Sequence, residues 1–264
     1  MGKGKRLKQS RAIEQVVRTR RISPGQLAVD EDALVEQLLH MAPEALPFYG
    51  LAAHYLASSP VRDANQCLLA STVLMLAMRN YGIEANLVAL ELDFDWADGG
   101  RGVHYGRPDP QMIGTEVRGH VGLLTKEWFL DATASQFREV RNNGGVRPVG
   151  GRIGAAQAAT LARQGGQIQL NLSTGNPVRY TVYPVGSADG IGSTFIGMQP
   201  DERALPVAVM NALTGFSAMV ALAQPGVQTP YPKLNADIRA AVGKTVVNRG
   251  GVLELSDDVK GAIH

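Results

Sequence analysis

The sequence has very few of the residues that indicate a secreted or metal-dependent protein. It contains a single cysteine among 264 residues, so no disulfide can form within the chain and nothing indicates an oxidising compartment. The start of the chain is not followed by an apolar core and a cleavage site, so no secretory signal is evident. No residues have metal-ligand spacing. We therefore expect a cytoplasmic protein without a metal or other cofactor.

Charge is also scarce and nearly balanced. Charged residues make up 19% of the chain and the formal net charge is +2, which argues against a dedicated nucleic-acid-binding protein. The exception is the first 21 residues, where eight lysines and arginines accompany one acid, Glu14. We interpret residues 1–25 as a flexible basic arm. Contact between this arm and an acidic partner, such as nucleic acid or a membrane surface, is the alternative.

Long apolar runs are few, and the longest uncharged one is interrupted. Residues 204–223 carry no charge, but Pro206, Asn211 and Thr214 interrupt the run. Its small residues are only weakly apolar on the scale that describes membrane insertion. The composition therefore favours a buried or partner-facing helix over a membrane span.

Hydrophobic residues make up 45% of the chain, which is enough for one large domain or for a domain with an extension. Helical and strand patterns both occur along the chain, and we expect a protein of the α+β class. We expect a core domain at residues 26–141 and a C-terminal α/β extension at residues 142–264. The glycine-rich stretch 142–151 is the candidate linker, and the extension either completes the same domain or has another role. The sequence leaves the oligomeric state open.

The most informative stretch is the predicted helix at residues 63–81, which carries Cys67 in its first turn. Asp63 is the expected N-cap, and Gln66 three residues later gives an approximate capping box. The apolar character continues almost all the way round, as in a helix that is surrounded by protein. A cysteine at this position lies near the positive end of the helix dipole, which favours the thiolate.

A second stretch, residues 119–137, predicts a β-hairpin that brings a histidine to an aspartate. Strands at 120–124 and 128–131 are expected to be joined by a turn at residues 125–126. With that turn, His120 lies opposite Asp131 on one face, with β-carbons about 4.5–5.5 Å apart. Because Thr-Lys is a poor two-residue turn, a longer loop with a shifted register is the alternative. Side-chain parity favours a shared face.

A cysteine, a histidine and an aspartate together have the chemistry of acyl transfer. Cys67 would act as the nucleophile, His120 would take its proton, and Asp131 would orient the imidazole and support its charged form. The backbone N–H of Cys67 is expected to stabilise an oxyanion, and the side chains of Asn65 and Gln66 are candidate further donors.

Substrate selectivity is expected in residues 95–119, which are rich in glycine, proline and aspartate. We interpret this stretch as a long surface loop, since loops of such length in compact domains are often functional. Trp96 and His104 are its candidate substrate-binding residues. Composition alone does not define a pocket.

The order of these parts resembles the transglutaminase-like family of the papain-like cysteine proteinase superfamily. The resemblance rests on a helix that starts with cysteine, followed by YGIEA at 81–85, GHV at 119–121, WFLDAT at 128–133 and QF at 136–137. It covers roughly residues 50–140. It implies a central helix carrying the cysteine, packed on an antiparallel sheet that carries the histidine and the aspartate. It also implies Cys67 as nucleophile, His120 as general base and acid, and Asp131 as the orienting residue.

The resemblance implies a cysteine-dependent hydrolase or acyltransferase that acts on a peptide or glutamine-type amide bond. Peptidases, amidases and deamidases are the expected activities, with a protein or peptide as substrate. The alternative is a transglutaminase-like binding module without activity, which docks a partner through its C-terminal half or its basic arm. Fast alkylation of the cysteine at pH 6 distinguishes the enzyme from the binding module.

Overall fold

The computed structural model describes residues 31–58, 66–95, 102–114, 116–144, 147–199, 201–249 and 252–255. Several sequence-based expectations lie outside these ranges. They are the basic arm at residues 1–25, the N-cap expected at Asp63, the oxyanion donor expected at Asn65, and the substrate-binding role expected for Trp96.

Helices account for much of the described chain. They are α1 (Glu31–Leu39), α2 (Leu51–Ser58), α3 (Cys67–Asn80), α4 (Arg138–Gly144), α5 (Ala155–Gln164), α6 (Asp189–Gly197), α7 (Ala204–Ala223) and α8 (Pro232–Thr245). A π-helical turn (Leu46–Gly50) leads directly into α2, and a 3₁₀ turn (Ala134–Gln136) precedes α4.

The strands are all paired antiparallel. They are β1 (Ala85–Phe94), β2 (Val103–Gly106), β3 (Gln111–Ile113), β4 (Glu116–Arg118), β5 (His120–Thr125), β6 (Trp128–Asp131), β7 (Val149–Arg152), β8 (Gly166–Asn171), β9 (Pro177–Val182), β10 (Val246–Arg249) and β11 (Val252–Leu255). A seven-stranded sheet has the order β7-β6-β5-β1-β9-β8, with β2 paired to the C-terminal half of β1. The pairs β3-β4 and β10-β11 form separate two-stranded sheets.

Helices cover both faces of the large sheet, because alternate residues of its strands point to opposite sides. On one side, Ala85 and Leu87 of β1 join a core that contains α1, α2, α3, α7 and α8. On the other side, Val88 and Leu90 of β1 join a second core that contains α4 and α5. The predicted α+β class is confirmed as a layered arrangement of helices on an antiparallel sheet.

The helix α3 packs directly on β1 and β5 of this sheet. It begins at Cys67, and its N-cap is Gln66, whose side chain makes no capping hydrogen bond. The described helix therefore starts later than the predicted range 63–81. It ends as the sequence indicates, because Gly82 has a φ of +78° and leads the chain out through the left-handed region.

Two segments expected to be irregular contain strands. The stretch 95–119 was expected to be a surface loop, but β2, β3 and β4 lie within it. The stretch 142–151 was expected to be a linker, but β7 begins at Val149 and pairs with β6. Both predictions were wrong because these strands are short, and pairing with a neighbouring strand stabilises them more than their own composition indicates.

The second half of the chain contributes three strands to the large sheet. The strands β7, β8 and β9 belong to it, and β9 pairs with the central strand β1. The sequence patterns at 167–172 and 178–183 also predict strands, and these correspond closely to β8 and β9. Residues 149–182 therefore contribute strands to the same sheet on which the cysteine helix packs.

The helix α7 lies among other helices of the protein. It packs against α1, α2, α3 and α8. Within the described residues it is the one helix that has the length and apolarity of a membrane span, and 56% of its most apolar window is buried inside the protein. Packing within the fold therefore accounts for its apolar composition.

Candidate active site

The first residue of α3 meets the first residue of β5. These residues are Cys67 and His120, and Cys67 lies near enough to His120 to help raise the pKa of the imidazole. Both are buried, with exposed fractions of 1% and 0%. One turn further along the helix, Ser71 Oγ donates to the carbonyl oxygen of Val121 at 3.4 Å. This hydrogen bond joins the start of the helix to the start of the strand.

His120 is held from the next strand by Asp131. The distance from His120 Nε2 to Asp131 Oδ2 is 2.8 Å, and both side chains are fully buried. The structure thus brings together the three residues predicted as nucleophile, base and orienting group. They come from α3, β5 and β6.

The hairpin that carries this pair differs from the predicted one. Leu123 pairs with Leu130 and Leu124 with Phe129, and residues 126 and 127 lie between the two strands. The position predicted for the turn, 125–126, was wrong by one residue: Thr125 still belongs to β5, and its hydroxyl accepts hydrogen bonds from the backbone N–H groups of residues 127 and 128. The register moves by two residues, so the histidine and the aspartate are diagonal neighbours and still share a face.

Gly122 leaves no room for a side chain beside this pair. Continuing the register from Leu123 and Leu130 places Gly122 opposite Asp131. A β-carbon at position 122 would lie 2.6 Å from Leu90 Cδ1 and 2.9 Å from the carbonyl oxygen of Leu130. Glycine at this position therefore lets the Leu90 side chain pack close to the strand that carries the histidine.

Asp131 accepts three hydrogen bonds, which a buried carboxylate needs in order to remain charged. Its Oδ1 accepts the backbone N–H of Thr133 at 3.1 Å. Its Oδ2 accepts from His120 Nε2 and from the hydroxyl of Tyr180, the latter at 3.2 Å. Sequence reasoning missed Tyr180 because no local pattern links a tyrosine of β9 to a hairpin 49 residues earlier.

Gln136 and Phe137 enclose the other side of the His120 ring. Gln136 Nε2 lies 3.0 Å from His120 Nδ1. The ring of Phe137 meets the imidazole edge-on, with centroids 5.0 Å apart, and stacks on Tyr105 at 4.3 Å. The sequence contained a signal for these residues, since QF at 136–137 belongs to the recognised motif, but no role was assigned to either.

The surroundings of His120 favour its protonated form. Burial alone would lower the pKa of His120, since desolvation disfavours the charged ring. The charge and hydrogen bond of Asp131, together with the contact with Cys67, outweigh burial and raise the pKa of His120 to about 10. The imidazole can therefore hold a proton at neutral pH beside the sulfur.

The Gln136 carboxamide matches one protonation state of the ring at a time. With its nitrogen towards Nδ1, it donates to a neutral imidazole whose proton is on Nε2. An imidazolium carries protons on both nitrogens, so Gln136 would have to rotate its amide and present Oε1. The amide can thus complement either form by exchanging its donor and acceptor.

Two of the remaining predicted site residues, Gln66 and His104, lie in the described part of the chain. Gln66 precedes the cysteine, and its backbone carbonyl accepts a hydrogen bond from the N–H of Ala70 at 2.9 Å. His104 lies on β2, where Nδ1 contacts Asp93 at 2.8 Å and Nε2 lies 3.7 Å from Glu91. His104 is thus tied to carboxylates of β1, and its predicted role in substrate binding stays a prediction.

Within the described ranges, no group of three or more histidine, cysteine, aspartate or glutamate side chains is arranged to hold a metal ion. The imidazole of His120 is bonded to a carboxylate and a carboxamide, and the carboxylate also accepts from a phenol. This set can move protons and orient a thiolate.

Comparison with known proteins adds no family to this description. The chain gives no significant match to any protein-family model, to any curated protein or to any solved structure.

Proposed function

We propose that the protein is a cysteine-dependent hydrolase or acyltransferase that acts on an amide bond through Cys67, His120 and Asp131. The observation that carries the proposal is the buried hydrogen bond from His120 Nε2 to Asp131 Oδ2 at 2.8 Å, on a histidine whose pKa Cys67 also helps to raise. A transglutaminase-like, papain-like relationship, a cytoplasmic location and a protein or peptide substrate complete the proposal.

The first half-reaction transfers the acyl group to the cysteine. The Cys67 thiolate attacks the amide carbonyl carbon and forms a C–S bond, and the backbone N–H groups at the start of α3 stabilise the developing oxyanion. Because Asp131 holds Nε2, the Nδ1 nitrogen of His120 delivers its proton to the leaving amine. The C–N bond breaks, and a thioester on Cys67 remains.

The second half-reaction releases the acyl group. A water molecule or an amine attacks the thioester carbon while Nδ1 of His120 takes one of its protons. The C–S bond then breaks and restores the thiolate beside the imidazolium. Water as the attacking group gives hydrolysis or deamidation, and an amine gives acyl transfer.

Alkylation of the native protein with iodoacetamide tests the proposal. At pH 6 an ordinary thiol with a pKa of about 8.5 is less than about 1% thiolate, whereas a thiol paired with an imidazolium reacts readily. We expect rapid labelling of Cys67 at pH 6, located by mass spectrometry, and at least about a tenfold slower rate in His120→Gln and in Asp131→Asn.

Two matched variants control for unspecific effects of these changes. His40→Ala replaces an exposed histidine, and Asp93→Asn alters a second aspartate that contacts a histidine, at the exposed edge formed by β1 and β2. Both are expected to label at the wild-type rate. A thiol that reacts only after denaturation, or a rate that is independent of His120, would contradict the proposal.

An inactive binding module is the second candidate function. It is favoured by one observation, that Cys67 and His120 are only 1% and 0% exposed, since a substrate carbonyl must reach the sulfur during catalysis. If the buried triad only stabilises the fold, Cys67 should be alkylated slowly at every pH at which the protein stays folded. The alkylation experiment therefore distinguishes the two functions.

A further inference from the structure

Asp131 shares one carboxylate oxygen between two donors from different strands. Its Oδ2 accepts from His120 Nε2 at 2.8 Å and from the Tyr180 hydroxyl at 3.2 Å. Tyr180 lies on β9, in the part of the chain that the family resemblance does not cover. It is fully buried, and its ring packs against Phe129 with centroids 4.8 Å apart.

We propose that Tyr180 is a positioning residue that lowers the proton affinity of His120 by sharing Oδ2 of Asp131, an inference that rests on the proposed function. A hydroxyl that donates to a carboxylate neutralises part of its negative charge. The imidazolium on the same oxygen is then attracted less strongly. It can therefore give its proton to a leaving amine more easily than it could beside an unshared carboxylate.

Tyr180 donates to Oδ2 of Asp131, the oxygen that also binds His120, and this distinguishes a positioning role from the ordinary need of a buried hydroxyl for a hydrogen-bond partner. A buried phenol needs a hydrogen-bond partner, and any acceptor would provide one. Tyr180 instead donates to the oxygen that holds the histidine, while Thr133 occupies Oδ1 through its backbone N–H. The hydroxyl thus competes directly with His120 for the charge of one atom.

Tyr180 keeps its proton throughout the working range of such an enzyme. Burial, together with the charge and hydrogen bond of Asp131, raises the pKa of Tyr180 well above its ordinary value. The titratable groups that act on His120 are Cys67 from α3 and Asp131 from β6. Tyr180 acts on the imidazole through Asp131.

The test is the pH dependence of Cys67 labelling by iodoacetate, measured from pH 5 to 11. Iodoacetate is an anion that an imidazolium attracts, so its rate falls as His120 loses its proton. The fall in labelling rate at high pH is the basic limb of the profile. In Tyr180→Phe the ring stays and the hydroxyl is lost, and we expect this limb to move to higher pH by about one unit. Packing alone would not move this limb.

Tyr183→Phe is the matched control. It removes the hydroxyl of a tyrosine three residues away that donates to Glu91 at 2.8 Å. Its limb is expected to coincide with that of the wild type. An equal shift in both variants would overturn the inference, because the effect would then not depend on Asp131.

The outcomes separate this inference from the proposed function. A wild-type profile without a limb that depends on His120 overturns both. If the wild-type profile has this limb and Tyr180→Phe leaves it at the same pH, only the role of Tyr180 is overturned. This holds whether or not the maximal labelling rate of the variant is lower. If Tyr180→Phe does not fold, the wild-type chain labelled with 3-fluorotyrosine replaces it. Its more acidic phenols donate more strongly, so the limb should move to lower pH, and an unchanged limb overturns the inference.

Discussion

Gln136 Nε2 lies 3.0 Å from Nδ1 of His120, while Asp131 holds Nε2 of the same ring. Both nitrogens of the imidazole are thus engaged by side chains from the segment that follows β5. The ring cannot turn without breaking one of these bonds. Its orientation towards Cys67 is therefore set by two anchors.

Replacement of Gln136 by glutamate should stabilise the imidazolium. A carboxylate beside Nδ1 accepts the proton that the carboxamide nitrogen cannot accept, so the pKa of His120 should rise further. We expect the basic limb of the iodoacetate profile to move up by about one pH unit or more. Gln199→Glu is the control, since Gln199 bonds to a backbone carbonyl within α6. A limb that stays in place would show that Gln136 does not regulate the proton on Nδ1.

Stability should fall as the pH rises from about 6.5 to about 10. The pKa of His120 is raised from 6.5 to about 10 in the folded protein, so the folded state binds more protons than the unfolded state in this window. The stabilisation is complete below pH 6.5 and is lost as the pH passes the folded value, by at most about 1.4 kcal/mol per pH unit.

Urea unfolding at pH 6.5, 8 and 9.5 measures this loss. In His120→Gln the corresponding part of the pH dependence should disappear, although the variant is less stable overall. Equal slopes for the wild type and the variant would mean that His120 binds its proton equally in the folded and unfolded states.

His54 should have the opposite effect in acid. It is 3% exposed, and burial lowers its pKa from 6.5 to about 4. Between these values the unfolded state binds the extra proton, so the free energy of unfolding should fall as the pH drops from about 6.5 to about 4. Unfolding curves at pH 6.5, 5.5 and 4.5 check this. His54→Gln should remove that part of the decline, and an unchanged decline would contradict the prediction.

Gly215 should not tolerate alanine, although it lies within the helix α7. Alanine normally stabilises a helix relative to glycine by about 0.4–1 kcal/mol. Here the new β-carbon would lie 2.6 Å from Nε2 of the buried His54, and overpacking of this kind costs about 1–3 kcal/mol. We expect a net loss in thermal unfolding experiments. Gly190→Ala, in α6 with nothing within 4 Å of the added carbon, should be neutral or stabilising. The same sign for both variants would contradict this account.

Local sequence patterns predicted much of the secondary structure. They also singled out Cys67, His120 and Asp131 as residues that could act together. The apolar pattern at 63–81, the alternation at 83–94 and the strand patterns of the second half contain α3, β1, β8 and β9, because side-chain periodicity is determined by neighbouring residues. Side-chain parity placed the histidine and the aspartate on one face even though the predicted turn was wrong, because a shift by two residues preserves the face. The catalytic role of these residues stays a prediction.

The tertiary structure decided the features that depend on residues far apart in the chain. The strand β2 forms because β1 offers it a partner, and Tyr180 reaches Asp131 because β9 pairs with β1. The sequence by itself determined which residues could form helices and strands, and it contained the order of cysteine, histidine and aspartate. Only packing decided which donors surround the buried carboxylate, because hydrogen bonds between distant segments depend on the sheet order and leave no periodic signal in the sequence.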